Sequence, residues 1–410
     1  MSAVREKIPR LQPFVELCYA ESSNLFFGDE IIMSEEGAQQ GDPLGSLLFC
    51  LAIHRLVEKL SSELNLWYID DGILGGNITD ILHDIDFIKT VGPKIGMKLN
   101  ESKCELITLD EEVIKIVRLT LPSVICIDPC DAKVLGAPVG GSGAIDSVLN
   151  QKLAEFQRLA DRLKRLNTHD GFYLLKNCFS LPKLMYTLRC APCYSNSLIE
   201  QYDITIRNTL QSILNVALTD DCWDQAKLPV NLGGLGVLAA DDIALPAFIA
   251  SVIGSAALTL QILPTSLVHI AGTNDQHFIR YVKEWQSITH TESLDVCIDA
   301  EQKRWSQPLQ VIAAEAVLSA APNQASRARL IAAAAPSSGA FLQVIPMSSV
   351  GTRLDNTSMR IAVALYDSVH HFAHHTNAYV VPLSKPMELT DLVAANRQVA
   401  LPDIQPSMAS

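Results

Sequence analysis

The spacing of apolar residues changes near residue 143, and this change constrains the fold more than any other feature of the chain. Up to that point, short apolar runs bounded by turn residues alternate with stretches of helical spacing. Beyond it, strand patterns nearly vanish, and helical spacing predicts helices at 151–166, 171–189, 197–217, 243–262, 276–288, 300–320, 325–334 and 357–375. The sequence therefore predicts an α+β block over residues 1–143, followed by a largely helical region.

Turn and capping residues divide the front block into short elements. An apolar run at 64–69 is followed by Asp70, Asp71 and Gly72, and an Asp-Gly step between apolar runs indicates a hairpin. Its turn is predicted at 70–72. The other predicted elements are, in chain order, the end of a helix at 11–18, a strand-like stretch at 26–33 around a Gly28-Asp29 turn, a helix at 44–60 started by Asp42 and Pro43, a helix at 78–95 and a strand at 104–108.

Charge is distributed unevenly along the chain. The 32 basic and 45 acidic residues give a net charge of −13, which argues against a general binder of polyanions. Residues 1–88, however, hold five basic and fifteen acidic side chains, whereas residues 151–189 hold eight basic and three acidic ones. Because the front block is acidic and the later stretch is basic, we expect the two regions to have different partners.

The sequence predicts no export signal and no membrane span. The first residues lack an apolar core of the kind found in signal peptides. The uncharged stretch at 243–263 contains Pro246 and several polar residues, which favours a buried helix. Ten cysteines in 410 residues are too dilute for a disulfide scaffold. We therefore expect an intracellular protein, in the nucleus or the cytoplasm, that makes no membrane contact.

The adjacent carboxylates Asp70 and Asp71 are the most informative chemical feature of the chain. Two neighbouring acids on a tight turn repel each other unless a cation neutralises them. Turns rich in carboxylate oxygen suit Mg²⁺, which phosphoryl-transfer enzymes use to hold triphosphates. Taken alone, the dipeptide is better explained by an ordinary solvated turn.

Further motifs occur around this pair in a fixed order. They are QGDPL at 40–44, YIDD at 68–71, GMKLNESK at 96–103, VLGAPVG at 134–140, LPKLMYTLR at 181–189 and the stretch LPVNLGGLG at 228–236. Together and in this order, the motifs resemble those of reverse transcriptases of the non-LTR (LINE-like) retrotransposon type, over about residues 10–365.

The resemblance implies a partial reverse-transcriptase palm at 1–143, a helical thumb-like region at 144–300 and a helical C-terminal region at 301–376. The lack of periodicity at 377–410 predicts a mobile tail. It implies RNA-directed DNA synthesis, with an RNA template, a DNA primer, deoxynucleoside triphosphates and Mg²⁺, or alternatively Mn²⁺. Asp70 would be the metal ligand shared by two ions, and Asp71 its less directly coordinated neighbour. Gln40 and Gly41 would line the pocket for nucleotide and template, and Lys103 would lie near the triphosphate.

One catalytic residue that the resemblance implies is missing from the sequence. Two-metal chemistry in such enzymes uses a third carboxylate from an earlier palm strand. The residues before the apolar patch at 11–18 include a single acid, Glu6, and leave no room for a fingers subdomain. We therefore expect a chain truncated at both ends, catalytically incomplete alone, and prone to self-association through an exposed palm edge.

Two clusters of basic residues leave alternatives open. Three arginines lie opposite the leucines of the predicted 151–166 helix: Arg158, Arg162 and Arg165. They form either a solvated face or a surface that follows the backbone of a nucleic-acid duplex. The alternatives to an enzyme are accordingly a non-catalytic nucleic-acid-binding or scaffold protein, and a non-functional element remnant.

The i, i+4 histidine pairs within residues 370–375 suit a metal, although an exposed helix end explains them better.

Overall fold

The computed structural model describes residues 2–34, 37–38, 41–139, 141–291 and 300–367. Over these residues the chain is a mixture of helix and strand, as predicted, and helix predominates. Gln40, the histidines at 370–375 and the predicted tail at 377–410 lie outside them. The helix predicted at 357–375 is therefore described only as far as Asp367.

The front block consists of short helices and four separate pairs of strands. Its elements are α1 (Ser2–Lys7), α2 (Gln12–Tyr19), β1 (Ser23–Phe27), β2 (Glu30–Ser34), α3 (Gly45–Val57), β3 (Leu64–Tyr68), β4 (Asp71–Gly75), α4 (Ile78–Val91), β5 (Glu105–Ile107), α5 (Glu111–Thr120), β6 (Ile125–Ile127), β7 (Lys133–Val134) and β8 (Ala137–Pro138). Consecutive strands pair as β1–β2, β3–β4, β5–β6 and β7–β8, of which only β5–β6 is parallel. Within the described residues these pairs do not join into one larger sheet.

The helical region follows the predicted pattern except that one predicted helix is divided, α6 starts early, and α10 was not predicted. Its helices are α6 (Gly141–Leu163), α7 (Thr168–Leu174), α8 (Leu181–Cys190), α9 (Ser197–Leu214), α10 (Asp220–Ala226), α11 (Ala240–Ile262), α12 (Gln276–Thr289), α13 (Gln302–Ser319), α14 (Gln324–Ala333) and α15 (Asn356–Tyr366). The single helix predicted at 171–189 is divided by a π-helical turn at Leu175–Phe179. α8 starts afresh after this turn because Pro182, in its first turn, has no N–H to continue a preceding helix.

The second difference is the start of α6, which lies at Gly141 instead of near residue 151. The predicted boundary at residue 143 consequently falls within the first turn of this helix. A side chain at Gly143 would place its Cβ 3.2 Å from the Cβ of Cys130. The glycine thus allows the helix to pack closely on the turn at Pro129–Asp131, although its presence favours a loop when the sequence is considered alone.

Two hydrophobic clusters hold the helical region together. The larger cluster draws on α6, α8, α9, α11 and α15, and its members Phe156, Leu188 and Val363 are at most 1% exposed. The smaller cluster joins α11, α12 and α13 around the edge-to-face pair Trp285 and Trp305, whose ring centroids are 5.0 Å apart. Large fully buried side chains of this kind supply most of the stability of a helical fold.

α11 contributes to both clusters through its first half only. Residues 243–250 are buried, whereas Leu258 and Leu260 are 58% and 56% exposed. Among the described residues, α11 is the one helix long and apolar enough to cross a membrane, and 44% of its most apolar window is buried inside the fold. The prediction of a buried helix at 243–263 is confirmed for this first half.

Candidate metal and nucleotide site

Asp70 and Asp71 lie at the tip of the β3–β4 hairpin. Tyr68 pairs with Asp71, which leaves Ile69 and Asp70 as a two-residue turn. The turn predicted at 70–72 is therefore wrong, because Asp71 and Gly72 belong to β4. Ile69 has a φ of 57°, a conformation that a β-branched residue adopts only under strain. Both carboxylates of the pair are exposed at the tip.

A tryptophan fixes this register from within the hairpin. Trp67 pairs with Gly72, and a Cβ on Gly72 would lie 2.9 Å from atoms of the indole ring. The indole Nε1 donates a hydrogen bond to Oδ1 of Asn65 at 2.8 Å. The Nδ2 of Asn65 in turn donates to the carbonyl of Val57 at the end of α3, at 3.0 Å. The glycine is thus needed for space beside Trp67 and not for the turn itself.

The carboxylate pair offers part of a metal site. Within the described residues, the carboxylates of Asp70 and Asp71 accept no hydrogen bond and form no ion pair. Such exposed neighbouring carboxylates fit Mg²⁺, which keeps several waters and binds through one or two carboxylates together with substrate phosphates. In the part of the chain that the structure describes, no group of three His, Cys, Asp or Glu side chains is arranged to hold a metal. Waters and phosphate oxygens would complete the coordination.

Gly41 begins a turn that leads into α3. Its φ of 91° lies in the left-handed region, and no atom lies within 4 Å of a Cβ built on it. The backbone conformation therefore favours glycine here even without a ligand. Asp42, predicted as the helix N-cap, lies two residues too early, since α3 is capped by Leu44. Its carboxylate instead accepts hydrogen bonds from the hydroxyl of Tyr19 and, at 2.7 Å, from the N–H of Leu44, and these bonds lower its pKa.

Lys103 ends a short 3-10 turn at Glu101–Lys103 and is exposed. The neighbouring Glu101 is held by Lys89 at 2.9 Å. Among the described residues, no hydrogen bond or ion pair joins Asp70 or Asp71 to Gly41 or to Lys103. The predicted roles of Gly41 and Lys103 in nucleotide binding remain predictions, and Gln40 lies outside the described residues.

Tyr186 contacts one segment that is far from it in the sequence and lies near another. Its hydroxyl, on α8, donates to the carbonyl of Leu135 in the β7–β8 turn at 2.8 Å. Burial raises the pKa of Tyr186, and the nearby Cys190 and Tyr68 raise it further. Tyr68 immediately precedes the Ile69-Asp70 turn. The phenol therefore joins α8 to the β7–β8 hairpin, and Tyr68 of the β3–β4 hairpin lies near enough to affect its pKa.

Sequence reasoning did not single out Tyr186, although the residue lies within the recognised stretch at 181–189. The sequence offers no signal for its contact beyond its place in that stretch. Leu135 and Gly136 carry φ values of 50° and 80°, which define the tight turn whose carbonyl Tyr186 contacts. Only the folded chain reveals that contact.

The predicted basic face is partly retained. Arg158 and Arg162 lie one turn apart on α6 and are exposed, but Arg165 lies in the turn that follows the helix, so the three do not share one helical face. On the same helix, Lys152 is paired with Glu155. Within the described residues no carboxylate lies within ion-pair distance of the three arginines. Their guanidinium groups are therefore available to an external anion.

Asp203 is a half-buried acid that sequence reasoning missed. It lies on α9 and accepts hydrogen bonds from the backbone N–H groups of Ala240, at 2.6 Å, and Asp241, at 3.0 Å. Burial raises its pKa to about 7, although these two hydrogen bonds act in the opposite direction. The side chain thus caps the N-terminus of α11 from a neighbouring helix, which is a structural role.

No family model matches the chain, and no curated protein matches it either.

Proposed function

We propose that the chain is a reverse-transcriptase-like protein of the RNA-directed DNA polymerase family, derived from a retroelement, with residues 1–143 as a partial palm and the helices that follow as a thumb-like region. The order of the motifs in the sequence supports this assignment. In this function the partners are an RNA template, a DNA primer and deoxynucleoside triphosphates.

The observation that carries the proposal is the contact of Tyr186 with the β7–β8 turn, near the hairpin that bears Asp70 and Asp71. Three segments are involved: the hairpin that bears Asp70 and Asp71, the turn at Leu135 and helix α8. More than forty residues separate each segment from the next in the sequence. Tyr186 nevertheless contacts the Leu135 carbonyl and lies near Tyr68. A nucleotidyl-transfer site needs its metal-binding acids held beside the elements that contact the nucleic acid. The strained Ile69 supports the same function, because strain of this kind is concentrated at functional sites.

In the proposed site, Asp70 and Asp71 are the protein ligands for Mg²⁺ or Mn²⁺. The metal ion, when bound, neutralises phosphate charge and orients the triphosphate for in-line attack. Lys103 contributes a positive charge toward the triphosphate, and Gly41, with Gln40 beside it, provides a backbone that a nucleotide can approach closely. Arg158, Arg162 and Arg165 contact the phosphate backbone of the duplex.

We propose further that the chain does not catalyse DNA synthesis alone. Two-metal displacement requires a third carboxylate that bridges both ions. Glu6 is the sole acid before Gln12, and the guanidinium of Arg55 on α3 holds it in an ion pair and lowers its pKa. A carboxylate engaged in this way is a poor candidate for the missing ligand.

A primer-extension assay tests this function. The purified chain is incubated with a DNA primer on an RNA template, deoxynucleoside triphosphates and Mg²⁺ or Mn²⁺, and binding of the same primer–template is followed by fluorescence anisotropy. We expect salt-dependent binding without extension above background. Asp70→Ala should leave the binding unchanged, because the pair acts on metal and triphosphate.

Two results would each contradict a different part of the proposal. Extension that Asp70→Ala abolishes would show that the chain is a complete polymerase and that the predicted incompleteness is wrong. Absence of any primer–template binding at low salt would count against the reverse-transcriptase-like function itself.

A non-catalytic nucleic-acid-binding protein is the second candidate function. It is favoured by the three exposed arginines near the end of α6, which lack carboxylate partners among the described residues. In this case Asp70 and Asp71 would have no role, and the metal would not matter.

A further inference from the structure

A largely irregular segment at residues 345–354 leads into α15. It is closed on itself, because the hydroxyl of Thr352 donates to the carbonyl of Ile345 at 2.7 Å and accepts from the N–H of Met347 at 3.1 Å. All of its residues are half-buried or exposed, and Val350 is 63% exposed. A segment that buries so little apolar surface depends on its anchoring hydrogen bonds to stay in place.

Two residues at the start of α7 anchor the end of this segment. The backbone N–H of Leu354 donates to the Nδ1 of His169 at 3.0 Å. The carboxylate of the next residue, Asp170, forms an ion pair with Arg353. The imidazole of His169 is buried, with 2% of the residue exposed. Because an Nδ1 that accepts a hydrogen bond carries no proton, the buried ring is neutral.

The surroundings of His169 favour this neutral ring. Burial lowers its pKa, and the guanidinium of Arg353 lowers it further, whereas the carboxylate of Asp170 and the backbone of Val344 act in the opposite direction. Within the described residues, α9 and α15 also pack on α7, but they place no charged group close enough to shift the pKa of the ring. The one carboxylate that faces the ring is already paired with Arg353. A positive charge on the ring would therefore be buried without a free partner.

We propose that His169 is an acid-sensitive latch, which holds residues 345–354 against α7 at neutral pH and releases them when the ring is protonated. Protonation places a hydrogen on Nδ1, so the N–H of Leu354 loses its acceptor and faces a second donor. The new charge also lies close to Arg353. Opening of the segment exposes the ring to water, where it holds the proton readily.

The direction of the pH dependence follows from the lowered pKa of the closed ring. The closed form binds fewer protons than the open form, in which the ring has its ordinary pKa of about 6.5. The latch is therefore at full strength above about pH 6.5 and weakens as the pH falls from there through the pKa of the closed ring. Because opening takes up one proton, each pH unit in this window shifts the equilibrium by up to about tenfold.

Hydrogen–deuterium exchange followed by mass spectrometry tests the latch, with the rates corrected for the intrinsic effect of pH. Between about pH 7.5 and about pH 5, we expect peptides that cover 345–354 to lose at least about fivefold in protection, while peptides of α9 keep theirs. His169→Phe removes the acceptor and should lower the protection of the segment already at neutral pH. His169→Asn offers an amide oxygen near the position of Nδ1 that does not titrate, so the protection should persist at both pH values.

His277→Asn is the matched control, since His277 is an exposed histidine on α12. It should lose protection of the segment at acid pH as the wild type does. A wild-type segment that is equally protected at both pH values, or one that loses protection only together with α9, would overturn the proposal. So would a His169→Phe or His169→Asn chain with the pH dependence of the wild type, or a His277→Asn chain without it.

Discussion

Gly234→Ala is expected to destabilise the folded chain by about 3 kcal/mol or more. A Cβ on Gly234 would lie 2.1 Å from the carbonyl oxygen of Leu228 and 2.5 Å from its carbonyl carbon. The neighbouring backbone cannot move aside easily. Gly236 donates its N–H to the same Leu228 carbonyl at 2.9 Å, and Gly234 donates to the carbonyl of Pro229 at 3.1 Å.

The loop that contains Gly234 also supports the main core. Leu235 and Val237, which follow it, are fully buried in the larger hydrophobic cluster. A shift of the loop would therefore loosen core packing as well as break hydrogen bonds. Urea unfolding followed by circular dichroism measures the effect as a lower midpoint.

Gly254→Ala provides the control for this substitution. Gly254 is an exposed residue within α11, and a Cβ there would meet only the Cβ of Ala300, at 3.3 Å. Alanine is the better helix former, so we expect a change of less than about 1 kcal/mol. If Gly234→Ala, like Gly254→Ala, unfolds at the wild-type midpoint, the inference that the loop packs tightly on Leu228 is wrong.

Replacing Arg158, Arg162 and Arg165 together with glutamine is expected to weaken nucleic-acid binding on the order of a hundredfold at low salt. The slope of log K against log salt should fall by about 2 to 3, because each lost phosphate contact removes nearly one unit. The expectation rests on exposed guanidinium groups that, within the described residues, are not already paired with carboxylates. Anisotropy titrations over a series of salt concentrations measure both quantities.

The control for this variant removes the same number of charges elsewhere. Arg10, Arg118 and Arg280 are exposed and lie on separate elements, so their joint replacement by glutamine changes net charge equally without touching the α6 surface. We expect a much smaller loss of affinity. Equal losses in the two variants would show that net charge, and not this surface, governs binding.

Local patterns predicted the elements better than their ends. The strand-like stretch around Gly28 and Asp29 is a hairpin as predicted, because a two-residue turn between apolar runs is a local signal. The β3–β4 turn was misplaced because Asp71-Gly72 resembles a hairpin turn, whereas the glycine is required by the ring of Trp67 in the opposite strand. Register is set here by cross-strand packing that the sequence does not display.

Two elements of the front block, α5 and β6, were not predicted. The start of α5 has a recognisable signal, because Asp110 caps the helix by accepting from the N–H groups of Glu112 and Val113.

The part of the site that depends on a distant contact could not be predicted. The contact of Tyr186 with Leu135 spans about fifty residues and has no local signature. Asp70 and Asp71 were singled out through the motifs around them, because adjacent acids also occur elsewhere in the chain, for example at Asp29-Glu30 and Asp241-Asp242.

The most direct test of the account is whether Asp70 and Asp71 bind a divalent metal together with a nucleoside triphosphate. Water-proton relaxation in the presence of Mn²⁺ reports binding to the chain, with and without a deoxynucleoside triphosphate. We expect weak binding of the ion alone, with a dissociation constant on the order of millimolar. The triphosphate should tighten it, because its oxygens complete the coordination that two carboxylates leave open.

Asp29→Asn is the matched control, since Asp29 and Glu30 also form an adjacent acidic pair at an exposed hairpin turn. The account predicts that Asp70→Asn and Asp71→Asn each abolish the triphosphate-enhanced binding of Mn²⁺, while Asp29→Asn leaves it unchanged. Binding that persists in Asp70→Asn, or that falls equally in Asp29→Asn, would contradict the assignment of the β3–β4 hairpin as the metal and nucleotide site.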